Sequence, residues 1–318
     1  MTVPSPLRVA AIDCGTNSIR LLVADHHPEA GVLTDVLRRM EVVRLGQGVD
    51  RTGRLAPEAI ERTRVALADY ARRCEELGVD RVRMVATSAS RDAANREVFR
   101  AMVLATLGAE PEVISGHEEA ELSFTGAVRD LARLPAAAAA PPRLVVDIGG
   151  GSTELVLGDE EVVADASMDV GCVRLTERHL AGDPPTGEQV AAAEADVRSA
   201  LQAAREDVPL HRTRTFVGLS GSVTTIAAIA LDLPAYDPVR IHHSRISADQ
   251  VRAVAERMLS STRAERGALP VMHPGRVDVI GAGALILRVL VDESGVGGIV
   301  VSEHDILDGI AWSQAEKG

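Results

Sequence analysis

A sixteen-residue pattern that occurs twice constrains this chain more than any other feature. Residues 10–25 read AAIDCGTNSIRLLVAD and residues 144–159 read LVVDIGGGSTELVLGD. Aligned, Asp13 falls on Asp147, Gly15 on Gly149, Ser18 on Ser152 and Asp25 on Asp159, at a constant offset of 134 residues. Each copy is an apolar run, an Asp, a Gly-rich turn and a second apolar run, the pattern of two strands joined by a tight turn. Two such hairpins, so far apart, predict two similar lobes.

The turn residues suit an anion. Taken alone, either turn reads as an ordinary β-hairpin, but the repeat in register points to phosphate. Gly15 and the run Gly149, Gly150, Gly151 can take positive φ and put no Cβ in the way of an oxyanion. Successive backbone N–H groups in such a turn form a concave anion site, and Thr16, Asn17, Ser18, Ser152 and Thr153 add neutral donors. Asp13 and Asp147 end the preceding strands, where a carboxylate repels bare phosphate. A hard cation resolves this, because Mg²⁺ is held by one or two carboxylates with phosphate oxygens and water. Glu154 adds a third acidic group after the second turn, where the first copy has Arg20. The two lobes are therefore not equivalent.

At 318 residues the chain has room for two domains. The net charge of −12 and 2% aromatic content argue against nucleic-acid binding, which needs basic residues and stacking rings. No apolar run approaches the roughly 20 residues of a membrane span, and the N-terminal residues lack a signal-peptide layout, so a cytoplasmic location is expected. Cys14, Cys74 and Cys172 are scattered, without the spacing of a disulfide framework or a zinc site. Cys74 reads as core, and Cys14 as a space-filler, a functional thiol being the alternative.

Strands alternate with helices along the chain, the signature of an α/β fold. Pro57 opens a helix whose apolar face runs to Gly78. Residues 81–87 read as a buried strand, 88–91 as a lead into a helix beginning near Asp92, and 118–132 as a helix. The stretch 134–142, LPAAAAAPP, reads as a linker between an N-terminal lobe, 1–133, and a C-terminal lobe, 143–304, with 305–318 packing back onto the first. The turn 220–222 reads as a helix N-cap or a nucleotide contact, and 281–283 lies on a helix. His242, His243 and His304 read as surface or internally satisfied side chains.

The motifs DxGTNSxRLL, TSASRDAxN, SGxEEAELSFxGA, VVDIGGGSTELV, GLSGS and HPGRVDVIGAGALIL together resemble the exopolyphosphatase/guanosine pentaphosphate phosphatase family. They keep the family's order and span nearly the whole chain. The ending soon after SEHDILDGIA resembles the short, two-domain actinobacterial form. The resemblance implies two ribonuclease-H-like lobes of the actin, Hsp70 and sugar-kinase superfamily around an interdomain cleft. It also implies Mg²⁺-assisted removal of a terminal phosphate from inorganic polyphosphate or guanosine pentaphosphate. Residue by residue, it implies Glu119 as catalytic base, Asp147, Gly149 and Glu154 as metal and phosphate ligands, and Arg91 as a phosphate-binding arginine. Asp13 joins the metal set on the repeat alone. Without a C-terminal helical region, a long-chain binding channel would be rebuilt by a homodimer, the assembly expected here. Two rival functions are an ATP-dependent small-molecule kinase of the same fold and a polyphosphate- or alarmone-binding regulator with little turnover.

Overall fold

A computed structural model describes residues 6–27, 29–131, 134 and 139–315. The linker expected at 134–142 lies partly outside these residues. The chain divides into two compact units, Met1–Gly126 with Ile306–Gly318, and Ala127–Asp305. The division falls before the boundary at 133 read from the sequence, and Asp305 stays with the second unit.

The first unit contains β1 (Leu7–Cys14), β2 (Ser18–His27), β3 (Val32–Val42), α1 (Val49–Thr52), α2 (Pro57–Glu76), β4 (Arg81–Ala86), α3 (Ser88–Asp92), α4 (Arg96–Leu107), β5 (Glu112–Val113) and the start of α5 (Gly116–Leu131). Its sheet runs β3-β2-β1-β4-β5. β1 is antiparallel to β2 and parallel to β4, which is parallel to β5. β1 is central and buried on both faces, which is why it is a continuous apolar run rather than an alternating one. Its side chains still alternate in their partners. Ala10, Ile12 and Cys14 pack with residues of α2 and α4 such as Leu67, Tyr70 and Phe99. Val9 and Ala11 pack with Ile306, Leu307, Ile310 and Ala311 of the C-terminal helix, Ile306–Ala315. That helix is fastened by Gln314 Nε2 donating to the Ala10 carbonyl at 3.0 Å and by an Arg38–Asp308 ion pair at 2.6 Å. Gly309 lets it approach α5, since a Cβ there would lie 2.0 Å from the Leu122 carbonyl oxygen.

The second unit contains the rest of α5, then β6 (Arg143–Ile148), β7 (Thr153–Gly158), β8 (Val162–Met168), α6 (Cys172–His179), α7 (Gly187–Ala204), β9 (Thr215–Leu219), α8 (Ser220–Ala230), α9 (Pro238–Ile241), β10 (Arg245–Ser247), α10 (Ala248–Ser260), α11 (Arg263–Gly267), α12 (Ile280–Ser294) and β11 (Gly298–Val301). Its sheet, β10-β11-β9-β6-β7-β8, repeats the order and directions of the first and adds β10 on the edge. The repeat reaches the irregularities: the register shifts between Val23 and Ala24 in one hairpin extension and between Leu157 and Gly158 in the other, positions again 134 residues apart. Both units are thus ribonuclease-H-like. α12 is buried almost all round, which explains its near absence of polar residues over 280–291. Among the described residues no helix is long and apolar enough to cross a membrane.

Candidate active site

The first turn hangs from the end of β1. Gly15 N–H donates to the Ser18 carbonyl at 3.0 Å. The turn's own carbonyls are tied back: Thr16 O accepts from Gly46 N at 2.8 Å, and Asn17 O accepts from Val43 and Arg44 N at 3.1 and 2.8 Å. Thr16 Oγ1 lies 2.8 Å from Ser88 Oγ. The N–H groups of Thr16 and Asn17 have no acceptor among the described residues.

The second turn repeats this at the end of β6. Gly149 N–H donates to Ser152 O at 3.0 Å. The first turn of α6 covers its carbonyls, with Cys172 N to Gly149 O at 2.9 Å and Val173 and Arg174 N to Gly150 O at 2.9 and 3.1 Å. Again the N–H groups of Gly150 and Gly151 have no acceptor among the described residues. In both turns the negative ends of the peptide dipoles are neutralised and the positive ends are left over, the electrostatics of an anion nest. The expected reason for glycine needs correcting. Neither Gly15 nor Gly149 has positive φ. The demand at the second turn is for space: a Cβ on Gly171 would sit 2.5 Å from the Gly150 backbone, so α6 closes on the turn only through glycine.

Charge distinguishes the two hairpins. The register places Asp13 opposite Arg20 and Asp147 opposite Glu154. Arg20 Nη2 and Nε reach Asp13 Oδ2 at 2.6 and 3.0 Å, so the first carboxylate is held by a guanidinium. In the second hairpin two carboxylates face each other, Asp147 with 7% and Glu154 with 1% exposure. Ser167 Oγ donates to Glu154 Oε1 at 2.9 Å. Like charges directly opposite on a sheet are destabilising, and buried charges are paired or coordinate metal. The oxygen donor set of Asp147 and Glu154 fits a hard divalent cation.

Arg91 and Glu119 meet beside the first turn's sheet edge. The helix expected from about Asp92 begins at Ser88, so Arg91 stands within α3, because Ser90 and Arg91 N–H already bond Thr87 O at 3.1 and 3.0 Å. Arg91 Nη1 donates to Ile114 O at 3.0 Å and to Glu119 Oε2 at 3.2 Å. Its Nε and Nη2 have no partner among the described residues. The glutamates opening α5 divide their work: Glu118 pairs outward with Arg83 at 2.7 Å, whereas Glu119 is 8% exposed and turned to Arg91. Thr87 N–H bonds Cys14 O, and Ile114 N–H bonds Ala86 O. The Gly15 turn, α3 and Glu119 therefore all follow the carboxyl ends of the parallel strands β1, β4 and β5, where α/β sheets bind ligands.

Other expectations resolve as packing. Ser220 is not an N-cap; α8 starts on it, and its Oγ bonds Ile148 O at 2.7 Å while φ is 71°. Gly221 makes room for the Arg276 guanidinium, and Gly283 for Ser222. Cys14, Cys74 and Cys172 are all buried, and burial pushes each thiol pKa up, that of Cys74 to about 11. A functional Cys14 thiol is thereby disfavoured.

Sequence reading missed Asp130. His242 and His243 Nε2 lie 2.7 and 2.9 Å from its Oδ2, and His304 Nδ1 lies 3.8 Å away. Ligand atoms of Asp130, His242 and His304 all lie within 4.8 Å of one another. His242 Nδ1, however, accepts the Glu303 N–H at 3.1 Å. Its proton is then on Nε2 and donated to Asp130, so the group is a hydrogen-bonded cluster rather than a ready cation site. With the partners 112 residues apart, no sequence signal announced it.

Duplicated ribonuclease-H-like units carrying nests of free N–H groups define a class of phosphoryl-handling proteins. The chain belongs to the Ppx/GppA phosphatase family, whose profile matches residues 22–316. It is 54% identical to Exopolyphosphatase 2 of Mycobacterium tuberculosis strain H37Rv, over 97% of this chain and 98% of that protein. A crystal structure of an exopolyphosphatase-like protein matches with a TM-score of 0.93 at 42% identity, covering 99% of both chains. The PPX-GPPA enzyme of Aquifex aeolicus matches with a TM-score of 0.80 at 32% identity, covering 96% of this chain and 99% of that one. The chain is a phosphoanhydride hydrolase of the exopolyphosphatase type.

Proposed function

We propose that this enzyme hydrolyses the terminal phosphoanhydride of inorganic polyphosphate, with Glu119 as the base. The observation that carries the reading is the Glu119 carboxylate, buried at the strand ends and oriented by Arg91 at 3.2 Å. An ionised Glu119 takes a proton from water as the water oxygen bonds to the terminal phosphorus. The bridging P–O bond breaks, the electron pair leaves with the shortened chain, and inorganic phosphate is released. Hydrolysis of this kind depends on positioning and charge stabilisation more than on covalent chemistry. In the first unit the N–H groups of Thr16 and Asn17 and the open side of Arg91 are donors suited to phosphoryl oxygens, and in the second unit those of Gly150 and Gly151 are donors of the same kind. Mg²⁺ would be held by Asp147 and Glu154 and, when bound, neutralises charge on phosphoryl oxygens. Asp13, engaged by Arg20, is left out of that set.

Guanosine pentaphosphate ends in the same bond and is the second substrate on this reading. The test is phosphate release from polyphosphates of graded length and from guanosine pentaphosphate, with and without Mg²⁺, beside ATP with a panel of sugars. Mg²⁺-dependent release from polyphosphate is expected. Phosphoryl transfer to a sugar without release from polyphosphate would replace the reading with a kinase, and binding without turnover would replace it with a regulator.

A further inference from the structure

We infer that Ser167 is the positioning residue that makes the second hairpin able to hold a divalent cation. The inference rests on the reading that Asp147 and Glu154 bind the cation, and it assigns a role on the neighbouring strand. Ser167 lies on β8 directly opposite Glu154, as Glu154 lies opposite Asp147. Three adjacent strands thus carry Asp147, Glu154 and Ser167 in one row. Ser167 is an exposed residue, yet its hydroxyl reaches the nearly inaccessible Glu154 carboxylate at 2.9 Å. A serine hydroxyl donating to one carboxylate oxygen fixes the plane and rotamer of the group without adding charge, which is what a ligand opposite a second carboxylate requires.

The duplicated half provides an internal comparison. The same row in the first unit reads Asp13, Arg20 and Met40. There the middle residue is a cation that neutralises Asp13 directly, and the third position has no hydroxyl. A donor on the third strand accompanies a carboxylate on the second, and is absent where the second strand carries a guanidinium. Partners of this kind are typically worth about 10–100-fold in metal affinity.

The test is Mn²⁺ alone, as an EPR-visible probe, titrated into the chelator-treated full-length chain and its variants. Ser167→Ala is expected to bind Mn²⁺ about 10–100-fold more weakly than the parent, Ser167→Thr to restore the parent affinity, and Glu154→Gln to lose the site. With polyphosphate, Ser167→Ala should need correspondingly more Mg²⁺ for half-maximal rate and reach nearly the parent rate at saturation. Parent-like Mn²⁺ affinity in Ser167→Ala, with Glu154→Gln impaired, would remove Ser167 from the account and leave the carboxylate pair standing. Parent-like affinity in Glu154→Gln would instead overturn the assignment of the pair, and the inference with it.

Discussion

Glu154 stands directly opposite Asp147 across the β6–β7 hairpin, at the register where the β1–β2 hairpin sets Arg20 against Asp13. One duplicated scaffold therefore presents a neutral pair in one half and two buried carboxylates in the other. A ligand that binds only the folded state stabilises it, by about 2.7 kcal/mol at a hundredfold excess over Kd. Mg²⁺ should accordingly raise the thermal midpoint of the parent protein and leave that of Glu154→Gln unchanged. Equal shifts in the two proteins, read by scanning calorimetry, would contradict a cation at this pair.

Arg91 uses one nitrogen on Ile114 and Glu119, and the proposed function gives its remaining N–H groups to the substrate. Lysine cannot reproduce that planar fork. Arg91→Lys is expected to lower kcat/KM for polyphosphate by about 10²–10³-fold, the scale of one lost charge-stabilising donor in the transition state. A loss below tenfold, measured by continuous phosphate release, would mean that Arg91 only braces Glu119.

Much of this was legible because the repeat is written in residues whose roles are local. A Gly-rich turn after a buried strand folds where it stands, so the Asp, Gly and Ser positions could be named from sequence and are found in matched geometry. What escaped reading depends on distant partners. The start of α6 is fixed by the Gly149 and Gly150 carbonyls, and the requirement for Gly171 by the Gly150 backbone; neither shows in a local window. The helix at Ser88–Asp92 is only five residues long, and its serines favour turns as readily as helix. The Asp130 cluster gathers side chains from α5, the segment after α9 and the segment after β11, which only the folded chain brings together.

The three thiols offer a direct check on packing. All are buried and shifted away from the thiolate, and the thiolate is the reactive form. The native enzyme should resist a disulfide reagent at mild alkaline pH, and all three cysteines should react on unfolding. Rapid labelling of Cys14 in the native state would restore the functional-thiol reading.

The His242 hydrogen bond and the His243 ring nitrogen 2.9 Å away hold the Asp130 carboxyl well below the usual carboxylate range. The folded state therefore favours the ionised form. The resulting stability is present above the unfolded carboxylate pKa of about 3.9, and it is lost as pH falls through the depressed folded value. Urea titrations should show Asp130→Asn less stable than the parent near pH 6, with the gap closing below about pH 4. A gap that stays constant across this range would show that Asp130 is not ionised in the fold.

The proposed hydrolysis assigns the base to Glu119, and removing that carboxylate is the most direct test. Glu119→Gln keeps the shape and the hydrogen-bonding reach of the side chain but cannot take a proton from water. The account predicts a fall in kcat on polyphosphate of about 10²–10⁴-fold, with KM and the thermal midpoint near those of the parent. A folded Glu119→Gln enzyme that releases phosphate at the parent rate would contradict it.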